Sequence, residues 1–265
     1  MARAEPRAGP VVLAIDTTAG ACSVAVDGPG GAVARSEPMT RGHSRHVLGL
    51  VEAALAHAGV EPSTIAAIGF GSGPGSFTGL RIACGVAQGL GFGWGVPLVP
   101  VDAMRTLASQ AGEGDGPVLV ALDLRMREVC IGVFDRVGSS TWPEPVAPYA
   151  LVSPERAVVA FDAVGGSPRL AGDGFDAYPA LAAWAGARGA AARPPGAVQP
   201  DAVAVARLAR IGLAGGRAVD AARAAPAYLR DKVALDVDEQ AALRGAREAG
   251  TAAGPAAPGA AGAAR

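Results

Sequence analysis

Residues 71–79 read GSGPGSFTG, and the reading of this run decides the fold. It follows an apolar stretch at 65–70 (IAAIGF), read as a strand, and opens a segment at about 76–92, read as a helix. A glycine-rich turn between strand and helix invites a phosphate-loop reading, which the residues do not support. No Lys closes the run as a Walker A loop requires. A dinucleotide fingerprint counted from Gly73 and Gly75 needs a third Gly where Thr78 stands. Ser76 and Thr78 read instead as helix-capping residues, and Gly73-Pro74-Gly75 as a tight entry turn. A helix start can still attract an anion.

The helix that follows carries Gly79, Ala83, Ala87 and Gly91 at every fourth position. That spacing makes one face nearly flat, so a second helix can approach closely. Each mid-helix Gly costs roughly 1 kcal/mol against Ala, and tight packing must offset it. A docked partner and the chain's own helix at 43–58 are both candidates for that packing, and the two are compatible.

Working outward, residues 11–16 (VVLAID), 21–27 and 31–36 read as a meander of three strands, with hairpin punctuation at 27–30 (DGPG). The helix at 43–58 has an apolar stripe of Val47, Val51, Ala54, Leu55 and Ala58, and Gly59 ends it. A short strand at 97–101 and a helix at 102–111 with Asp102 as N-cap follow. Then the pattern begins again. Strands are expected at 117–122, 128–135, 146–152 and 168–172. Helices are expected at 153–161, capped by Ser153, and at 200–213. The expected division is an N-terminal lobe over 1–106, a shortened second lobe with a C-terminal helix over 107–235, and a tail over 236–265. The tail is rich in Ala, Gly and Pro. It has too little apolar surface to offset ordering entropy, so disorder is expected there.

The chain has 265 residues and a formal net charge of −1, so no strong basic field announces direct nucleic-acid binding. Cys22, Cys84 and Cys130 are far apart and form no CxxC pair, which argues against a disulfide framework or a cysteine zinc site. No secretory signal and no membrane span are read, and a cytoplasmic protein is expected.

Two features invite chemistry. Asp16-Thr17-Thr18 ends the first strand, where a carboxylate and hydroxyls could face a nucleotide's phosphates and its metal; Asp16 and Thr17 are the cofactor-binding candidates. The alternative is a turn held by Asp and Thr side chains. His43, His46 and His57 fall on one helix. His46 and His57 are about 16 Å apart at 1.5 Å per residue, too far to share a metal. His43 and His46 lack the HExxH spacing, so no metal site is assigned. His43 is read as a hydrogen-bonding residue at the helix start.

Taken in order, VLAIDTTAGACSVAV, HSRHVLGLVEAAL, GSGPGSFTGLRIACGVAQGL, LDLRMREVCIGVF and PAYLR at 226–230 resemble the bacterial TsaB family. The resemblance covers about 11–230, and GPGSFTGLRI is its most specific block. It implies an α/β fold of the actin-like (ASKHA, ribonuclease H-like) class, with two lobes of mixed sheets flanked by helices and a truncated second lobe. It also implies a noncatalytic subunit of the complex that places threonylcarbamoyl on adenosine 37, beside the anticodon, in tRNAs reading ANN codons. Such a subunit binds a TsaD-like catalytic subunit through its N-terminal-lobe helices, helps recruit a TsaE-like ATPase and meets tRNA only through the complex. It requires no cofactor of its own, since ATP and metal belong to the partners. A homodimer is also compatible when the partner is absent. Carried over by residue, the docking face comprises His43, Ser44, Val47, Leu48 and Val51 on the first helix, and Ser76, Phe77, Gly79, Leu80, Ala83 and Ala87 on the second. The catalytic paralogue's HxxxH metal pair is HxxH here. Leu124 and Cys130 stand where the family has Ala and Tyr.

An actin-fold ATPase or kinase, or an M22-type peptidase, acting on its own is the alternative. The first needs a glycine-rich phosphate loop in the second lobe, but residues 122–127 (LDLRMR) contain no Gly and two arginines. The second needs metal ligands that this helix does not supply.

Overall fold

The computed structural model describes residues 9–229, apart from 136, 139 and 189–192. The tail at 236–265 lies outside the described residues. Two mixed sheets organise the chain. The first contains β1 (Val11–Asp16), β2 (Ala21–Gly28), β3 (Gly31–Pro38), β4 (Ile65–Gly73) and β5 (Leu98–Asp102), in the order β3-β2-β1-β4-β5. The β1–β2–β3 pairings are antiparallel, and β4 and β5 run parallel to β1. The second sheet contains β6 (Val118–Asp123), β7 (Val129–Phe134), β8 (Ala150–Val152) and β9 (Arg169–Ala171), in the order β8-β7-β6-β9. This order repeats the first without its fifth strand, so the second sheet is a truncated copy.

Strand alternation sends side chains to opposite faces of the first sheet. Leu13, Ile15, Val24, Val26, Ile68 and Phe70 meet α1 (His43–Ala58) and α2 (Phe77–Trp94) on one side. Val12, Ala14, Ala25, Ala67 and Val99 meet α7 (Ala202–Ala214) on the other. The helix that sequence grouped with the second lobe therefore packs on the first sheet. Its approach depends on Gly69, where a Cβ would lie 2.6 Å from the Ala209 Cβ.

The second sheet is clothed in the same way. Met104 and Leu107 of α3 (Ala103–Gln110) pack with Val118 and Val120. Phe161 of α4 (Pro154–Asp162), Phe175 of α5 (Gly174–Ala177), and Leu181 and Trp184 of α6 (Pro179–Ala187) cover Leu119 and Ala121 on the opposite face. Helices α5 and α6 were not read from sequence. The alanine-rich run at 179–187 (PALAAWAGA) buries only Leu181 and Trp184, too sparse an apolar pattern to announce a helix.

The caps at Ser76, Asp102 and Ser153 form as expected, each side chain accepting from the backbone N–H three residues on. Thr78 does not cap; it is exposed within the first turn of α2. After α7, the chain returns to the first sheet. Val219 pairs with Leu98, and Ala221 and Ala224 join the core beneath α2.

Candidate functional site: a closed glycine loop beside an open helix face

The glycine-rich run begins as the end of β4 and finishes in the first turn of α2. On one side it meets the end of β1. The Ser76 N–H donates to the Thr18 carbonyl at 2.9 Å, and the Thr17 hydroxyl donates to the Gly79 carbonyl at 2.7 Å. On the other side, the Ala227 N–H donates to the Ser72 carbonyl at 2.7 Å. The glycines are what permit this closure. A Cβ at Gly79 would lie 1.9 Å from the Thr17 carbonyl oxygen, one at Gly75 would lie 2.7 Å from that of Thr18, and one at Gly73 would lie 2.6 Å from that of Ala227. The loop is clamped between two segments of its own chain.

Asp16 and Thr17 are both buried at this seam. Asp16 Oδ1 accepts from the Thr18 N–H and from the Thr18 hydroxyl, both at 2.8 Å. Asp16 Oδ2 is buried without a hydrogen-bond partner among the described residues. It faces Gly71, where a Cβ would come within 2.3 Å of it. These residues do not fit a nucleotide phosphate and its metal. The carboxylate is walled off, the Thr17 hydroxyl is spent on Gly79, and the Ser76 and Gly79 amides have internal acceptors.

Burial pushes the Asp16 carboxyl up to about 6 from 3.8, with the neighbouring Asp201 carboxylate adding to the shift. The native state therefore holds this proton through a range where the unfolded chain has released it. Stability from Asp16 is full below 3.8, falls as pH rises towards 6, and is flat above. The span is at most about 3 kcal/mol. Asp16→Asn is expected to flatten that slope in urea titrations run from pH 4 to 7. An unchanged slope would remove Asp16 as its source.

The second sheet has an equivalent strand-end carboxylate, Asp123. Its Oδ1 accepts from the Tyr178 hydroxyl at 2.7 Å and from the Arg125 N–H at 2.8 Å, and the Arg125 guanidinium lies 3.1 Å from Oδ2. Arg125, Met126 and Arg127 all have left-handed backbone, with φ of 65°, 56° and 60°. No glycine relieves this turn, and nothing in the sequence signalled it.

The predicted docking residues divide sharply. Val47, Val51, Gly79, Leu80, Ala83 and Ala87 are buried against the chain's own sheet, and His43 is buried beside them. The Gly79–Ala83–Ala87–Gly91 stripe is thus an inner face; Gly91 already lies against Leu98 and Ala221. Ser44, Leu48, Ser76 and Phe77 are exposed. Sequence reasoning missed a second small-residue stripe, Gly85–Gly89–Gly93. All three are exposed, and a Cβ at any of them would meet nothing within 4 Å. Phe92, 62% exposed, flanks it. Arg81, one turn before Gly85, was the available signal, because a charged side chain marks the outer face.

At the N-terminal end of α2, the Arg81 guanidinium lies 3.3 Å from the Phe77 ring centroid and 5.3 Å from that of Tyr228. The three histidines do not converge. His46 pairs with Glu37 at 3.1 Å, His57 contacts Arg35, and His43 Nε2 is buried with no hydrogen-bond partner among the described residues. His43 therefore does not play the hydrogen-bonding part expected at the helix start. Burial also lowers its pKa, which keeps the ring neutral.

Residues 30–235 match the family model described as TsaD: tRNA N6-adenosine threonylcarbamoyltransferase. The tRNA threonylcarbamoyladenosine biosynthesis protein TsaB of Escherichia coli (strain K12) is 34% identical over 225 residues, covering 84% of this chain and 96% of that protein. The protein of the same name from Haemophilus influenzae is 36% identical over 156 residues, covering 56% of this chain and 66% of that one. The solved structure described as YeaZ from Pseudomonas aeruginosa superposes with a TM-score of 0.69 at 35% identity, covering 83% of this chain and 100% of that chain.

Proposed function

The chain belongs to the TsaB family of tRNA threonylcarbamoyladenosine biosynthesis proteins, and from that premise we propose that it is a noncatalytic docking subunit for a TsaD-like catalytic subunit. The carrying observation is the clamped loop. Where an actin-like fold would offer amides, a hydroxyl and a carboxylate to a nucleotide, this chain commits them to itself through Thr17, Thr18, Ser76 and Gly79. Asp123 is similarly committed to Arg125 and Tyr178. In this reading the chain needs no cofactor, and the ATP chemistry belongs to its partners.

The docking face is the outer side of α1 and α2: Ser44 and Leu48 on one helix, Phe77, Gly85, Gly89 and Phe92 on the other. The buried members of the predicted set hold those helices on the sheet. Glycines on an exposed helix face let a partner helix approach closely, and the exposed apolar side chains beside them supply contact area. The same face can seat a second copy when the partner is absent. A TsaE-like ATPase would join the complex, and tRNA would meet the assembly.

Reconstitution tests this reading. Threonylcarbamoylation of a tRNA reading an ANN codon, by TsaD-like and TsaE-like partners fed threonylcarbamoyl-adenylate, is expected to fall at least tenfold when this chain is omitted. The isolated chain is expected to show no ATP turnover above buffer. Full activity without it, or turnover by the chain alone, would favour the independent-enzyme reading.

A further inference from the structure

On the sheet face opposite α1 and α2, the outer side of α7 borders a cavity of about 360 Å³. Val203, Arg207, Arg210 and Ile211 line it from one helical face, at spacings of four, three and one. Asp27 of β2, Ala32 of β3 and Ser140 of the β7–β8 connection also line it. The size falls within the range of small-molecule sites.

The charges in this cavity are not balanced from within. The Arg210 Nε lies 3.5 Å from Asp27 Oδ2, long for a hydrogen bond, while its Nη1 is buried with no hydrogen-bond partner among the described residues. Arg207 is half-buried and pairs with no carboxylate among the described residues. Like charges three apart on a helix repel, and a buried guanidinium nitrogen without an acceptor carries a desolvation cost. An oxyanion between the two guanidiniums relieves both. Planar guanidinium is suited to the paired oxygens of phosphate or carboxylate. Val203 and Ile211 offer an apolar wall for whatever the oxyanion is attached to.

We propose that this cavity binds a small molecule through one oxyanion group, held between Arg207 and Arg210, with its apolar part against Val203 and Ile211. The site lies on the opposite side of the first sheet from the docking face, so it stands or falls independently of the partner proposed above.

Calorimetric titration of the full chain with inorganic phosphate, and separately with acetate, tests this at ionic strength held constant with chloride. Saturable 1:1 binding of at least one probe is expected, and the tighter of the two identifies the oxyanion class. Arg207→Gln is expected to weaken binding at least tenfold with the melting temperature unchanged. Asp27→Asn, which removes the competing carboxylate, is expected to tighten it threefold or more, an effect that a merely structural Arg210–Asp27 pair would not produce. If Arg210→Gln fails to fold, the Arg207 and Asp27 variants still decide the matter. No saturable binding of either probe, or equal affinity in Arg207→Gln, would overturn the assignment.

Discussion

Gly79→Ala is expected to destabilise the chain by about 3–5 kcal/mol, at the upper end of what single substitutions do. The added Cβ would stand 1.9 Å from the Thr17 carbonyl oxygen, which is backbone and has no flexible end to move aside. To admit it, α2 must lift from β1. That lift would break the 2.7 Å bond from the Thr17 hydroxyl to the Gly79 carbonyl and the 2.9 Å bond from Ser76 to Thr18. It would also unpack Leu80, which is buried beside them. Gly85→Ala, less than two turns along the same helix, is expected to act in the opposite direction. Its Cβ meets nothing within 4 Å, and Ala is the better helix former by roughly 0.5–1 kcal/mol. Urea unfolding of both variants measures the contrast. If both shift the midpoint by a similar amount in the same direction, the clamp does not have the rigidity argued for it.

This contrast also explains what was legible in the sequence. The helix at 43–58 was legible in its bounds and in most of its buried side, because Val47, Val51, Ala54 and Leu55 recur at helical spacing, whereas the buried Leu50 was missed and Ala58 is only partly buried. The three-strand meander and its copy were legible because apolar runs alternate with turn residues. The role of α2 was only half legible. It carries small residues on two faces, Gly79–Ala83–Ala87–Gly91 and Gly85–Gly89–Gly93, and small residues do not say whether they seat a sheet or a neighbour. Leu80 and Cys84 tip the first stripe inward, while Arg81 and Phe92 turn the other outward. The resemblance pointed to the two helices proposed for docking but not to the side of each. The clamp on Asp16 and Thr17 was beyond sequence reading for another reason. It joins residues 16–18, 71–79 and 227, and such pairings exist only once the strands have taken their order. The cavity on α7 likewise brings positions near 27 and 140 to a helix beyond 200.

The side of α2 matters most for the partner. Gly89→Arg is expected to reduce affinity for a TsaD-like subunit at least a hundredfold, about 2.7 kcal/mol or more, by placing a long charged side chain where close helix approach is needed. The fold should tolerate it. Gly89 is exposed with nothing within 4 Å of an added Cβ, and Arg is a far better helix residue than Gly, so the melting temperature should hold or rise. Ala83→Arg cannot make this measurement. Ala83 is fully buried on the inner face of α2, so an arginine there would remove binding by unfolding the chain. Leu48→Asp is the companion on α1. It changes a side chain 51% exposed and should weaken the same complex without disturbing the core. Sedimentation of each folded variant with the catalytic subunit separates the outcomes. Wild-type affinity in both would move the docking surface off these helices. Loss in both, with unfolding midpoints preserved, would place it on the outer face that Arg81, Gly85 and Gly89 share.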